Sequence, residues 1–163
     1  MCGICGEVRF GSDPADVAAV DRMAASMVRR GPDGAGLVAR GRVAFGHRRL
    51  KIIDLSEAAQ QPMVDAELGL SIAYNGAIYN YAELRQELAR KGYRFFSTGD
   101  TEVILKAYHA WGIDCVAVPA WQRKRGVSCV QLCATMNDVR FRCVHPCCTN
   151  AYRLLRAFLD ASA

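Results

Sequence analysis

Met1-Cys2-Gly3-Ile4-Cys5-Gly6-Glu7-Val8-Arg9-Phe10 opens the 163-residue chain and puts a cysteine in second place. Cysteine is small enough for Met1 to be trimmed ahead of it, which leaves Cys2 with a free α-amine. An N-terminal nucleophile can use its own amine as general base, directly or through a water. Such an amine has a reference pKa of about 7.7–8.0 and is partly neutral at physiological pH. The bland alternative makes Cys2 only the second residue of a buried strand. Residues 3–10 alternate as a strand, with Val8 and Phe10 on one face.

Working outward, Asp13-Pro14 opens a helix, with Asp13 as cap and Pro14 in the first turn. Val17, Val20, Met23 and Met27 recur at helical spacing as its core stripe. Arg29-Arg30-Gly31-Pro32-Asp33-Gly34 breaks the helix into a tight loop. Two short strands follow, about 35–40 and 42–47, then a long loop through Gln60-Gln61-Pro62. Leu70 to Tyr74 is a strand ending at Asn75-Gly76. Ala82 to Lys91 is a helix stopped by Gly92. Thr101 to Ala110 is another, with Val103, Ile104, Ala107 and Tyr108 inward and Gly112 after it. Beyond about Val116 the pattern dissolves, and only residues 150–161 regain a helical period.

Charge and cysteine divide the chain at the same point. All of the net charge of +5 lies in residues 117–163, where seven Arg/Lys face Asp138 and Asp160. Five of the eight cysteines (Cys129, Cys133, Cys143, Cys147, Cys148) are also there. A basic tail can bind nucleic acid, but residues 1–116 carry no such bias, so no nucleic-acid partner is expected. No apolar run approaches the ~20 residues of a membrane helix, and no membrane partner is expected either. The first residues lack the basic region of a signal peptide, and Glu7 interrupts them. The expected location is cytoplasmic, where disulfides are a poor default for these cysteines.

Several blocks together resemble class II glutamine amidotransferases, the asparagine synthetase family. They are Met1 to Gly6, Arg30-Gly31-Pro32-Asp33-Gly34, Gly46-His47-Arg48-Arg49-Leu50, Ile53-Asp54, Gln61-Pro62-Met63, Tyr74 to Asn80, and Gly99-Asp100-Thr101-Glu102. They stand in the family's order over about residues 1–116. The wording of residues 6–10 and 50–57 is similar to the N-acetylglutaminylglutamine amidotransferase branch. The resemblance implies an α+β fold, the αββα sandwich of N-terminal-nucleophile (Ntn) hydrolases, incomplete at its C-terminal side. It implies a glutaminase that makes glutamate and ammonia through a Cys2 thioester.

The same resemblance implies roles one residue at a time. Arg49 would hold the glutamine α-carboxylate, a task suited to the planar guanidinium fork; its alternative is a solvated strand-end charge. Asn75 and Gly76 would form the oxyanion hole; their alternative is an Asn-Gly turn. Asp100 would hold the α-ammonium; its alternative is a helix cap. Asparagine synthetases usually have Glu where this chain has Ala77, so amine binding would rest on Asp100 and backbone carbonyls. No cofactor and no metal are expected. ATP and magnesium would belong to a synthetase domain, whose pyrophosphate loop is not in this sequence, and the acceptor would be recognised there.

Residues from about 117 onward depart from the family and are rich in Arg, Cys and Pro, as misread GC-rich DNA would be. They read as an out-of-frame continuation. A zinc site from Cys129, Cys133, Cys143, Cys147 and His145 is the functional alternative. Three readings therefore stand: a glutaminase part, an inactive truncated fragment, and a zinc-binding or interaction module made by the tail.

Overall fold

The computed structural model describes residues 2–112, 115, 130–135 and 141–143. Two antiparallel sheets, each with helices beside it, make up the α+β architecture. The first sheet has the order β1-β3-β2, formed by β1 (Gly3–Val8), β2 (Gly34–Arg40) and β3 (Val43–Arg49). The second has the order β4-β5-β6-β7, formed by β4 (Met63–Asp65), β5 (Leu70–Asn75), β6 (Val130–Thr135) and β7 (Phe141–Cys143). The helix α1 (Val17–Ser26) packs on β3 and β1, while α3 (Asp100–Trp111) packs on β5 and β4 and against α2 (Tyr81–Arg90). The sheets meet where the buried His47 of β3 donates from Nε2 to the Tyr74 carbonyl of β5, 3.3 Å away.

The α1 helix differs from its expectation in start and in face. It begins at Val17, capped by Asp16, whose carboxylate accepts from Ala19 N at 2.9 Å; Asp13 and Pro14 lie ahead of it. Its buried residues are Val20 and Ala24, whereas Val17 and Met23 are about 40% exposed. The reason is a close approach at Gly46. A Cβ there would stand 3.1 Å from Ala24 Cβ and 3.2 Å from Val20 Cγ1. The helix thus beds on a bare backbone through two small side chains, too narrow a seat for a four-residue stripe. β1 likewise stops at Val8, and Phe10 is half exposed.

Elsewhere the local signals place the elements well. Gly92 ends α2 with φ +96° and donates its N–H to Ala89 O at 3.0 Å. Gly112 ends α3 with φ +58°. Val103, Ile104, Leu105 and Ala107 are fully buried beside Ile72, Leu84 and Leu88, and form the main core under the second sheet. Among the described residues no helix is long and apolar enough to cross a membrane.

Two strands lie where the sequence pattern had dissolved. β6 pairs with β5 from Asn75↔Val130 to Leu70↔Thr135, and β7 pairs with β6. The stretch Val130-Gln131-Leu132-Cys133-Ala134-Thr135 alternates weakly, and the free edge of β5 supplies the partner that alternation lacked. The second sheet therefore extends past β5 with two strands from residues beyond 116, where the spacing alone gives none. The ladder sets Cys133 opposite Ile72 and Cys143 opposite Val130. Cys129, Cys147, His145 and the 150–161 segment fall outside the described residues.

Candidate active site

The start of β1, the ends of β3 and β5, and the start of α3 come to one place. Each element terminus carries one expected site residue: Cys2 just ahead of β1, Arg49 last in β3, Asn75 last in β5 with Gly76 next, and Asp100 first in α3. All five line one cavity of about 310 Å³. That size is at the lower end of small-molecule sites, which run roughly 300–1,000 Å³.

The Cys2 thiol faces the backbone of Leu50, whose N–H donates to Cys2 Sγ at 3.3 Å. The Cys2 carbonyl accepts from Asn75 Nδ2 at 3.3 Å and from Arg30 Nε at 3.4 Å. The 30–34 loop is fastened to the end of β3. Asp33 N donates to Arg49 O at 3.0 Å, and Asp33 Oδ2 accepts from Lys51 N at 2.9 Å. Gly31 lies so near the Arg48 carbonyl group that a Cβ has no room. Cys5 points away from the cavity. Its sulfur lies 3.5 Å from Val20 O and 3.6 Å from Gly46 O, and burial pushes its thiol pKa up despite the Gly46 contact.

Arg49 is 5% exposed, so the solvated strand-end reading does not hold. Its Nη1 donates to Ser56 O at 2.8 Å and its Nη2 to Asp54 O. Both partners are carbonyls, and among the described residues no carboxylate pairs with this guanidinium. Several of its five N–H donors remain for a ligand. A buried cation without a counter-ion is costly unless something anionic visits it.

Asp100 brings the opposite sign to the same cavity. It is 5% exposed, and its Oδ2 accepts from Ile78 N at 3.0 Å. Burial raises its pKa, against the smaller opposing effect of the backbone N–H groups of Ile78, Asp100 and Thr101. Gly99, not Asp100, is the cap residue of α3, so the helix-cap alternative is set aside. Among the described residues Asp100 has no cation partner either.

The Asn-Gly hairpin alternative also fails. A type I′ turn needs positive φ at both central residues, and neither Asn75 nor Gly76 has it. Gly76 is glycine because a Cβ would stand 2.6 Å from Tyr74 Oη. Ala77 lines the same cavity.

Sequence reasoning gave Gln61 and Asp54 no role, although both lay in quoted blocks. Gln61 Oε1 accepts from Tyr74 N at 2.6 Å and its Nε2 donates to Thr101 Oγ1 at 3.2 Å, tying β5 to α3 beside the cavity. Asp54 binds Ser56 and Thr98. Their polarity within apolar surroundings was visible in the sequence, but their partners are distant in it.

Comparison with known proteins gives the family. Residues 1–120 match the family model described as a glutamine amidotransferase domain. Glutamine-hydrolyzing asparagine synthetase 3 of Bacillus subtilis is 39% identical over 137 residues, covering 78% of this chain and 22% of that protein. Asparagine synthetase 1 of the same organism is 42% identical over 113 residues, covering 66% of this chain and 17% of the relative. A Mycobacterium tuberculosis relative is 37% identical over 157 residues, covering 86% of this chain and 23% of its own length. That last share exceeds residues 1–116, so the likeness runs on into the tail. The chain spans about a quarter or less of the length of these relatives. With a family match over most of its residues, the chain belongs to the glutamine amidotransferase domain family.

Proposed function

We propose that this chain is a glutaminase unit: Cys2, freed of Met1, hydrolyses the side-chain amide of glutamine to glutamate and ammonia. The observation that carries the reading is one cavity lined by Cys2, a buried guanidinium and a buried carboxylate, neither in an ion pair among the described residues. An amino-acid zwitterion complements that pair, with its α-carboxylate toward Arg49 and its α-ammonium toward Asp100. Its side-chain amide then extends toward Cys2.

In the proposed reaction the α-amine of Cys2 takes the thiol proton and the sulfur attacks the amide carbon. The oxygen that becomes negative is met by Asn75 Nδ2 and the Gly76 N–H, donors of a type worth about 3–4 kcal/mol each. Collapse of the tetrahedral species expels ammonia, which takes the proton from the amine, and leaves a γ-glutamyl thioester on Cys2. Water then attacks that ester and returns the thiol. No cofactor enters these steps. The Ntn αββα sandwich is the fold that this chemistry implies, and the layering of α1, two sheets and α2–α3 supports it. The wording of residues 6–10 and 50–57 supports the N-acetylglutaminylglutamine branch. The named relatives suggest delivery of ammonia to an amide-forming reaction, with ATP and magnesium handled by a synthetase domain.

A glutamine-shaped diazo-ketone tests the assignment. It should label Cys2 and spare Cys5, whose sulfur faces α1. Cys2→Ala should release no ammonia from glutamine, whereas Cys5→Ala should keep a measurable part of the activity. Even labelling across all eight cysteines would sink the proposal.

A further inference from the structure

Asp54 lies beside the cavity in a stretch whose family resemblance carries no role for it, and it is 6% exposed. Its Oδ1 accepts from Ser56 N at 2.8 Å and from Ser56 Oγ at 2.6 Å. Its Oδ2 accepts from Thr98 N at 2.7 Å and from Thr98 Oγ1 at 2.9 Å. The first pair curls residues 54–56 so that the carbonyls of Asp54 and Ser56 both face the Arg49 guanidinium, and both accept from it. The second pair fastens that same loop to the segment leading into α3. Thr98 stands two residues before Asp100, with Gly99 between them close enough that its Cβ would lie 3.4 Å from Asp54 Cβ. The loop that orients the buried cation and the segment that carries the buried carboxylate are thus joined through one side chain, across 44 residues of sequence.

We propose that Asp54 is a positioning residue that sets the distance between Arg49 and Asp100, and so makes the cavity selective for an α-amino acid. The inference rests on the glutaminase reading and deepens it. A carboxylate suits the task because it accepts four hydrogen bonds and donates none. Burial would raise its pKa, but the bonds from Ser56 and Thr98 outweigh burial and hold the carboxyl well below the usual carboxylate range. It therefore stays an acceptor at any working pH.

Asp54→Asn keeps the size and presents an amide N–H₂ to groups that themselves donate, so at least one of the two fastenings must open. In this variant the KM for glutamine should rise about tenfold or more, the scale of losing hydrogen bonds to a charged group, while kcat falls much less. Two cysteine reagents separate positioning from general damage. The glutamine-shaped diazo-ketone uses the Arg49 and Asp100 ends of the site, and should label Cys2 about tenfold more slowly than in the parent protein. Iodoacetamide has neither an α-carboxylate nor an α-amine and should label Cys2 at the parent rate. Thr98→Val removes only one of the four bonds; it should shift the same two quantities in the same direction by less, and it decides the matter should Asp54→Asn fail to fold. An unchanged KM in a folded variant overturns the proposal, and so does equal slowing of both reagents. Failure of the glutaminase reading looks different, because the parent protein itself would then resist the diazo-ketone at Cys2.

Discussion

A Cβ at Gly76 would lie 2.6 Å from the Tyr74 hydroxyl oxygen, and Asn75 Nδ2 reaches the Cys2 carbonyl at 3.3 Å. Both proposed oxyanion donors are therefore set by contacts that leave little slack. Gly76→Ala should displace the Tyr74 tip or the Gly76 N–H and lower kcat, toward the roughly 100-fold loss typical when one such donor is removed. A steady-state assay of ammonia release would show it, and a rise in KM alone would argue against an oxyanion role. Arg49 is the residue proposed to act on binding. Removing one member of a shielded charge pair costs about 2–5 kcal/mol, so Arg49→Ala should raise the glutamine KM at least thirtyfold, roughly. Arg49→Lys should rescue it only in part, since an ammonium lacks the planar fork. An unchanged KM would remove Arg49 from the substrate site. Asp100 adds a pH signature. Its raised pKa means that it takes up a proton at a higher pH than an ordinary aspartate does. Protonation removes the charge that would hold an ammonium, so KM should climb on acidification earlier than an exposed aspartate would allow.

At the level of elements, α3 supports the site through buried charges. Glu102 is fully buried and its carboxylate accepts from Phe96 N, Ser97 N and Ser97 Oγ. Lys106, one turn on, lies 3.3 Å from Glu102 Oε1 and 2.8 Å from Asp65 Oδ2 on β4. Breaking such a buried cluster from one side typically costs about 3–5 kcal/mol, because the groups left behind lose their partners in a medium that does not solvate them. Glu102→Ala should lower unfolding stability by about that amount in a urea titration, and a loss below about 1 kcal/mol would show that the loop rearranges around the gap. The α1 helix offers a finer contrast. Val20 is fully buried over Gly46, and Val17 is 41% exposed. Val20→Ala should cost about 2 kcal/mol as a cavity forms, while Val17→Ala should stay within about 0.5 kcal/mol. Equal costs would restore the four-residue stripe that the spacing alone implies.

For the molecule as a whole, His47 couples stability to pH because it sits between the two sheets. Burial pushes its pKa down to about 4, assisted by the nearby Arg49 charge and opposed by the Tyr74 carbonyl, which accepts from Nε2–H. Its Nδ1 is buried with no hydrogen-bond partner among the described residues. In the unfolded chain the imidazole returns to about 6.5. Between those two values the unfolded state binds the extra proton, so stability falls as pH drops through the window. The full span amounts to about 3 kcal/mol. Urea unfolding of the native protein should show this decline between about pH 6.5 and pH 4, and the His47 share of it should vanish in His47→Gln. An identical pH slope in that variant would assign the decline to other groups.

Much of this was readable along the chain, and the reason is locality. Glycine stops, a helical period and an alternating strand each depend on neighbours within a few residues, which is why α2, α3, β3 and β5 stand close to where the spacing puts them. The cavity residues Cys2, Arg49, Asn75, Gly76 and Asp100 were legible for another reason: each sits in a block whose wording a family shares. Their convergence was not legible from spacing, because it arises where one strand begins, two strands end and a helix starts. The burial of Arg49 and Asp100, and the fastening of both through Asp54, exist only once segments 44 residues apart are folded together. The start of α1 and the strands β6 and β7 escaped the sequence for the same cause. A cap competes with other acceptors nearby, a close approach at Gly46 selects which helix face is buried, and a weak alternation becomes a strand only when a free sheet edge lies beside it.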